Sequence, residues 1–284
     1  MIAIPRYLCS QDNAENSDII ILGIPYDCTS SFRPGSRFAS REVRIISEEA
    51  VEEFSFHLGK SLEDIHFYDM GDMPLMVGDP SVMIKEVENE LTPLIKSGKK
   101  VISIGGEHLV TYPVFKAYRQ VHKNFTILHL DAHADLRKSY SGDALSHASV
   151  LNLCLENGLE KLVQYGIRSG TREEYHMRQE DKRINPCSCI SELENCFSKD
   201  EKIYITLDVD FFDPGFFPGT GTPEAGGASY NDFLKILSIM DRKKVKIIGA
   251  DIVELAPGLD PTGNSTIFTA KLLRDLLIFT ASHP

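Results

Sequence analysis

Phe125-Thr126-Ile127-Leu128-His129-Leu130-Asp131-Ala132-His133-Ala134-Asp135 decides how this chain is read. The apolar run Phe125 to Leu130 has strand character and gives way at once to alternating Asp131, His133 and Asp135. Alternate residues of an extended segment point to the same side, so the three side chains can converge. A second stretch repeats the plan: the β-rich run Ile203 to Leu207 leads into Asp208-Val209-Asp210. Two strands therefore deliver acidic side chains at their C-terminal ends, the edge of an open α/β sheet where ligands bind.

The residue types suggest a pair of metal ions. Four carboxylates with one or two imidazoles make a hard, oxygen-rich site, which suits Mn²⁺ or Mg²⁺ better than the nitrogen- and sulfur-rich sets typical of zinc, and manganese is the expected metal. Carboxylates can bridge two ions about 3.5 to 4 Å apart, and such a pair generates hydroxide from water at neutral pH. The competing reading of a lone D-x-H is a cap and turn before a helix, where Asp is also favoured. Two clusters weigh against it, because crowded, uncompensated carboxylates repel and cost stability. A third strand, Val101 to Ile104, runs into Gly105-Gly106-Glu107-His108. The two glycines allow a tight turn that could aim His108 inward. Alone, His108 reads as a structural or surface residue; beside the other clusters it reads as a ligand.

Around these motifs, strand-like runs alternate with amphipathic stretches. The patterns predict strands at Ile19–Ile24, Ile65–Tyr68, Val101–Ile104, Thr126–Leu130, Leu162–Gly166, Arg183–Asn185, Ile203–Leu207 and Val245–Ala250. Helices are predicted at Ser40–Phe54, Ser81–Ser97, Thr111–Val121, His147–Asn157, Thr171–Asp181, Asn231–Asp241 and Ser265–Ala281. This alternation implies a three-layer α/β/α fold with a mostly parallel sheet of about eight strands. With 284 residues, 42% apolar and 25% charged, the chain can bury a large core as a single domain, residues 1–284. No linker, internal repeat or low-complexity tract divides it. The longest irregular piece, Phe211 to Ser229, is rich in Gly and Pro and follows the second acidic cluster, where long loops are often functional.

Composition narrows the function classes. A net charge of −11 argues against a nucleic-acid surface and fits a cationic substrate drawn to an acidic mouth. No run reaches the roughly 18 apolar residues of a membrane span, and Met1 to Asn13 lacks the plan of a signal peptide, so a soluble cytoplasmic protein is expected. The cysteines Cys9, Cys28, Cys154, Cys187, Cys189 and Cys196 include no C-x-x-C pair. A disulfide framework is unneeded at this size, and Cys187 and Cys189 read as ordinary free thiols.

Taken in order, Gly105-Gly106-Glu107-His108, the Asp131–Asp135 motif, Leu207-Asp208-Val209-Asp210 with Asp213-Pro214, Pro218 to Pro223 and Asp251-Ile252-Val253-Glu254-Leu255-Ala256-Pro257 resemble the ureohydrolase family of arginases and agmatinases. Gly23 to Asp27, Arg33 to Phe38 and Arg41 to Arg44 resemble its first strand and loop, so the likeness runs from about Ile19 to the C-terminal helix. The resemblance implies an arginase-like fold and two Mn²⁺ per subunit. It assigns one ion to His108, Asp131, Asp135 and Asp208 and the other to Asp131, His133, Asp208 and Asp210, with Asp131 and Asp208 bridging. It further implies that a metal-bridging hydroxide attacks a guanidinium carbon and that the intermediate collapses to urea and an amine. By the same likeness Asp135 handles the hydroxide's proton, His147 shuttles protons and Glu254 takes the guanidinium through paired, charge-assisted hydrogen bonds. The catalytic set is thus Asp135, His147 and Glu254, and the substrate-binding set Glu254, Thr222 and His147. For His147 a helix-start role beside a capping Ser146 is equally open, and for Glu254 a structural ion pair competes. Relatives are often trimers or hexamers, which implies a homo-oligomer.

Substrate choice rests on less. Arginases recognise the α-carboxylate and α-amino group of arginine partly through an Asn two residues past the last Asp of D-x-H-x-D, where this chain has Arg137. That favours agmatine, with putrescine as product and a place in polyamine biosynthesis. Ser141-Gly142 does lie near a serine that arginases use, and arginine, guanidinobutyrate, aminopropyl-agmatine and formiminoglutamate stay open. The chain departs from many relatives in Glu107, where they have Asp, and in Ala148, where they have Gly; Glu107 is expected to act on the orientation of His108. The roles of Glu224 and Asp251 are open. Two rival classes are a one-zinc deacetylase-like hydrolase, which needs no equivalent of Asp135, His108 and Asp210, and a metal-stabilised binding protein without catalysis.

Overall fold

Every strand pairing in the main sheet is parallel, as long apolar runs separated by helices require. The computed structural model describes residues 5–74 and 78–284, so the first four residues of the Met1 to Asn13 segment lie outside it. The strands are β1 (Ile19–Ile24), β2 (Phe54–Ser55), β3 (Lys60–Ser61), β4 (Phe67–Asp72), β5 (Lys100–Gly105), β6 (Thr126–Leu130), β7 (Lys161–Tyr165), β8 (Ile184–Cys187), β9 (Lys202–Asp208) and β10 (Lys246–Val253). The helices are α1 (Ala39–Ala50), α2 (Pro80–Lys96), α3 (Thr111–Val121), α4 (Val150–Glu156), α5 (Arg172–Glu180), α6 (Ile190–Asn195), α7 (Tyr230–Lys243) and α8 (Asn264–Ser282). Eight strands form one sheet in the order β4-β1-β5-β10-β9-β6-β7-β8, and β2 pairs with β3 as a small antiparallel hairpin. This is the single-domain α/β architecture that the pattern predicts.

Alternation along single strands builds the three layers. Ile19 and Ile21 of β1 and Ile203, Ile205 and Leu207 of β9 join a core with α1, α7 and α8. Ile20, Leu22 and Ile24 of β1 and Tyr204 of β9 face the other way, into a core with α2, α3 and α4. Helix starts follow capping chemistry: Asp79 accepts from the Ser81 N–H before Pro80, and Thr171 with Glu174 and Ser229 with Asp232 form reciprocal capping boxes.

The departures from the predicted elements have local causes. α1 stops at Ala50 rather than Phe54 because Val51 turns extended and the chain enters the β2–β3 hairpin, which periodicity did not reveal. β4 begins at Phe67 and continues through Asp69 to Asp72, polar residues that end a predicted strand. They are tolerated because buried Arg44 of α1 donates two hydrogen bonds to Asp69, at 2.7 and 2.9 Å, and a third to Asp72. β7 ends at Tyr165 because Gly166 takes φ +100°. β8 runs to Cys187 through Pro186, which is accommodated on an edge strand. Six-residue α6 is too short to repeat a helical period. A 3₁₀ turn, His147–Ser149, precedes α4, and Ser146 at its cap position makes no capping hydrogen bond with its side chain. Among the described residues no helix is long and apolar enough to cross a membrane.

The register sets up the site. Ile104 of β5 lies opposite Ile252 of β10, Val253 of β10 opposite Asp208 of β9, and Leu207 of β9 opposite Leu130 of β6. Three neighbouring C-terminal strand ends thereby come level with one another, and the loop after β5 joins them.

Candidate metal centre

His108, Asp131, His133, Asp135, Asp208 and Asp210 converge at this edge. His108 Nδ1 lies 3.1 Å from Asp131 Oδ2, 3.0 Å from Asp135 Oδ2 and 3.5 Å from Asp208 Oδ2. His133 Nδ1 lies 2.9 Å from Asp210 Oδ2 and 3.7 Å from Asp131 Oδ1. Asp131 belongs to both constellations. Backbone amides hold the carboxylates in place: His133 N–H donates to Asp131 Oδ1 at 2.6 Å, Ala132 N–H to Asp210 Oδ1 at 3.0 Å and Asp210 N–H to Asp208 Oδ1 at 2.9 Å.

Convergence relies on more than strand alternation. Asp135 takes the left-handed conformation at φ 53° and Glu254, directly after β10, does so at φ 67°. Non-glycine residues in that region cost of order 1–3 kcal/mol and cluster at functional sites. Gly105 and Gly106 serve a different need from the one their pairing suggests. Neither has positive φ; a Cβ on Gly106 would stand 1.8 Å from the Tyr26 carbonyl oxygen, and one on Gly105 would stand 2.6 Å from Val253 Cγ1. Close packing of backbones, rather than an unusual dihedral, positions His108.

The buried hydrogen bonds place a proton on His108 Nε2. Thr206 Oγ1 donates to Asp251 Oδ1 at 2.6 Å, so its oxygen accepts from His108 Nε2–H at 2.8 Å. Asp251 is itself held by Tyr204 OH at 2.6 Å and Thr111 Oγ1 at 3.0 Å. Asp251 thus supports His108 from behind. His108 Nδ1 is buried, without a hydrogen-bond partner among the described residues, and aimed at three carboxylate oxygens; burial opposes a charge there, but Asp131, Asp135 and Asp208 outweigh it and push the imidazole well above its usual range. Such an arrangement calls for positive charge at Nδ1, which a proton or a bound cation supplies.

Electrostatics point the same way. Burial and the charges of Asp210 and Asp131 push Asp208 well above the usual carboxylate range. Burial and Asp131 bring Asp210 up to about 6. His133 is opposed by burial, but Asp131 and Asp210 outweigh it and push the imidazole up to about 12. Carboxylates that resist ionising and an imidazole that retains its proton both signal surplus negative charge, which a bound cation relieves. The donor set of aspartates and histidines fits hard divalent ions.

Sequence reasoning missed His129. Arg178 Nε donates to Gln164 Oε1 at 2.9 Å, Gln164 Nε2 donates to His129 Nδ1 at 3.0 Å, and His129 Nε2–H then donates to Asp131 Oδ2 at 2.7 Å. Its place two residues before Asp131 puts both on one side of the strand, and that spacing was the available signal. With both nitrogens engaged, His129 orients Asp131 rather than binding an ion, although it groups with His108, Asp131 and Asp135 by distance.

Glu107 turns away from His108. It accepts from Thr29 N–H at 2.7 Å and Thr29 Oγ1 at 2.6 Å, and burial raises it to about 7. Thr29 in turn accepts from the His147 backbone N–H at 3.1 Å and lies 3.4 Å from His147 Nδ1. Glu107 therefore reaches His147 through Thr29 and, among the described residues, makes no side-chain hydrogen bond to His108, a correction to the expected action on His108. Burial lowers the His147 pKa.

A cleft of about 190 Å³ opens over this cluster, bordered by Glu254, Thr222, Tyr140, Arg137 and His147. Glu254 Oε1 accepts from His108 N–H at 2.8 Å. Its other oxygen has no hydrogen bond, and Glu254 has no ion-pair partner, among the described residues, so the competing structural ion pair is not found. Arg137 stacks 4.9 Å over Tyr140 with Nε 3.6 Å from Glu174. Thr222 Oγ1 is 3.4 Å from Asp210 Oδ2 and Glu224 Oε1 is 3.9 Å from His133 Nε2. Thr220 is buried in the scaffold, its carbonyl held by Arg33. Arg168 grips the carbonyls of Asp210, Glu224 and Ala225. The Phe211 to Ser229 loop is therefore a rigid scaffold that also lines the cleft.

Comparison with known proteins agrees with this geometry. The model of the Arginase family matches residues 17–279. An agmatinase from Halalkalibacterium halodurans is 38% identical over 96% of this chain and 95% of its own length. An N(1)-aminopropylagmatine ureohydrolase from Thermus thermophilus is 33% identical over 86% of this chain and 84% of its own. A solved structure from Clostridium difficile superposes with a TM-score of 0.91 at 38% identity, over 95% of this chain and 99% of that one.

Proposed function

The chain belongs to the arginase family, and on that premise we propose that it is an agmatinase, a binuclear manganese hydrolase that converts agmatine and water to urea and putrescine. One observation carries the reading: a buried His108 Nδ1 faces three carboxylates directly beside Glu254, whose free oxygen borders the cleft. His108, Asp131, Asp135 and Asp208 would hold one ion, and Asp131, His133, Asp208 and Asp210 the other, with Asp131 and Asp208 bridging. The manganese pair, when bound, supplies Lewis acidity and an activated water at neutral pH.

The chain's own groups do the rest. Glu254 takes the planar guanidinium through charge-assisted hydrogen bonds, and its backbone anchor to His108 keeps substrate and cluster in register. Burial and the nearby Glu107 raise the Glu254 carboxyl well above its usual range, so a bound cation meets a group that gains by pairing. Asp135 holds the nucleophile's proton and passes it toward the leaving nitrogen. His147, with Nδ1 facing Thr29, presents Nε2 for proton transfer at the cleft mouth. Thr222 completes the wall.

Arg137 stands where arginases place an Asn, and its guanidinium is already engaged by Glu174 and Tyr140. That supports a substrate without the α-carboxylate of arginine, as do the names of the agmatinase relatives. Aminopropyl-agmatine is the second reading, favoured by the 33% identical Thermus thermophilus relative. The same proposal makes the protein a cytoplasmic homo-oligomer, a trimer or hexamer, that serves polyamine biosynthesis without nucleic-acid or membrane partners.

The test is urea release by the Mn²⁺-loaded protein from agmatine, arginine, guanidinobutyrate and aminopropyl-agmatine. Agmatine should give the highest kcat/KM. No urea from any of them would leave a metal-stabilised binding protein, and full activity with one zinc per chain and no manganese dependence would leave the deacetylase-like class.

A further inference from the structure

We propose that Cys187 and Cys196 form a redox modification site, a dithiol that exchanges with a small-molecule disulfide and closes into an intramolecular disulfide. Their sulfurs lie 3.3 Å apart, close enough for one thiol to hydrogen-bond the other, whereas Cys189 between them is exposed and turns its sulfur to Ser191 Oγ at 3.0 Å. Cys187 ends β8 and is buried at 5% exposure; Cys196 follows α6 and is only half-buried. The pair therefore comprises an accessible thiol and a shielded one already in contact, nine residues apart in sequence.

The two thiols are not equivalent. The hydrogen bond from Cys187 lowers Cys196 to about 7, with help from Lys161, whose ammonium also donates to the Cys196 carbonyl. The same bond, with burial, holds the Cys187 thiol up. Being the accessible member of the pair, Cys196 is the attacking thiol, and buried Cys187 is the resolving one.

The exchange balances in two steps. The Cys196 thiolate attacks one sulfur of the small disulfide, whose S–S bond breaks and releases one thiolate. Cys187 then gives up its proton and attacks Cys196 Sγ, which forms the internal disulfide and expels the second thiolate. Two protein thiols are oxidised by two electrons, and the small disulfide is reduced to two thiols. The closed ring would tie α6 to the sheet edge, with β7 lying between β8 and the ligand-bearing β6.

Oxidised glutathione is the probe, applied to reduced, Mn²⁺-loaded full-length protein and followed by intact mass and non-reducing peptide mapping. The wild type should lose two hydrogens without retaining glutathione, yield one Cys187–Cys196 linked peptide and keep its metal content. The rate should rise with pH through about 7. Cys187→Ser should stop at one glutathione on Cys196, and Cys196→Ser should leave Cys187 unmodified, both with wild-type circular dichroism. A wild type modified only at exposed Cys28 or Cys189, or one holding a stable mixed disulfide at Cys196, would overturn the proposal.

Discussion

The floor of the cleft and its outer wall are built on different rules. On the floor, Asp131, Asp208 and Asp210 are at most 4% exposed and stand on or just beyond strand ends, each held by a backbone N–H. Among the described residues their charges are compensated only by the histidines facing them. On the wall, Arg137 and Glu224 lie on loops with side chains 36% and 42% exposed, and Arg137 is already paired with Glu174. Buried charge without a partner demands an ion, while solvated, paired charge leaves the residue free to vary. Under the proposed function, the difference would put the chemistry on the floor and the choice of substrate on the wall.

The strongest challenge to that division is to remove a carboxylate shared between the two ions. Asp131→Ala and Asp208→Ala should each abolish urea release and lose both metals, as read by elemental analysis of the dialysed protein. Loss of a ligand to one ion alone would leave half the metal. An active Asp208→Ala variant with a full complement would contradict the bridging role.

His147 tests the border between floor and wall, since it borders the cleft while its Nδ1 and backbone N–H are held by Thr29. His147→Ala should keep both metals while kcat falls by roughly 10²–10⁴, the usual worth of a positioned acid–base group. Metal loss in this variant would move His147 onto the floor. One step further back, Asp251→Asn should weaken metal binding by roughly 10–100-fold, the usual cost of losing a group that orients a ligand. Calorimetric titration with Mn²⁺ measures it, and unchanged affinity would mean that Thr206 alone orients His108.

How much of this was legible in the sequence follows the same division. The floor could be read because apolar runs stop abruptly at Asp131 and Asp208, and strand periodicity says where those side chains point. Its supports could not. Thr206 and His108 are 98 residues apart and Gln164 and His129 are 35 apart, so their hydrogen bonds exist only once the sheet has formed. The left-handed backbone of Asp135 and Glu254 runs against local preference and is imposed by the surrounding fold. On the wall, Arg137 was noticed only as a departure, and its pairing with Glu174 on α5 depends on the α5 capping box. The β2–β3 hairpin and α6 escaped because two-residue strands and a six-residue helix hold fewer than two periods of their pattern.

Arg137 yields the smallest effect and the sharpest test of the wall. Its ion pair with Glu174 is partly exposed, so its loss should cost about 0–1 kcal/mol of stability. Arg137→Ala should keep both metals and leave kcat for agmatine close to wild type. It removes a positive charge from the cleft border and frees the Glu174 carboxylate, so the wall becomes more negative. A cationic tail should gain and an anionic tail should lose. The ratio of kcat/KM for agmatine over guanidinobutyrate should therefore rise, by less than about tenfold, since 1.4 kcal/mol corresponds to a factor of ten. An unchanged ratio would mean that the substrate tail does not reach Arg137. A fall in kcat with metal content intact would mean that the wall positions the reacting groups as well as the tail, and the separation of chemistry from choice would fail at this residue.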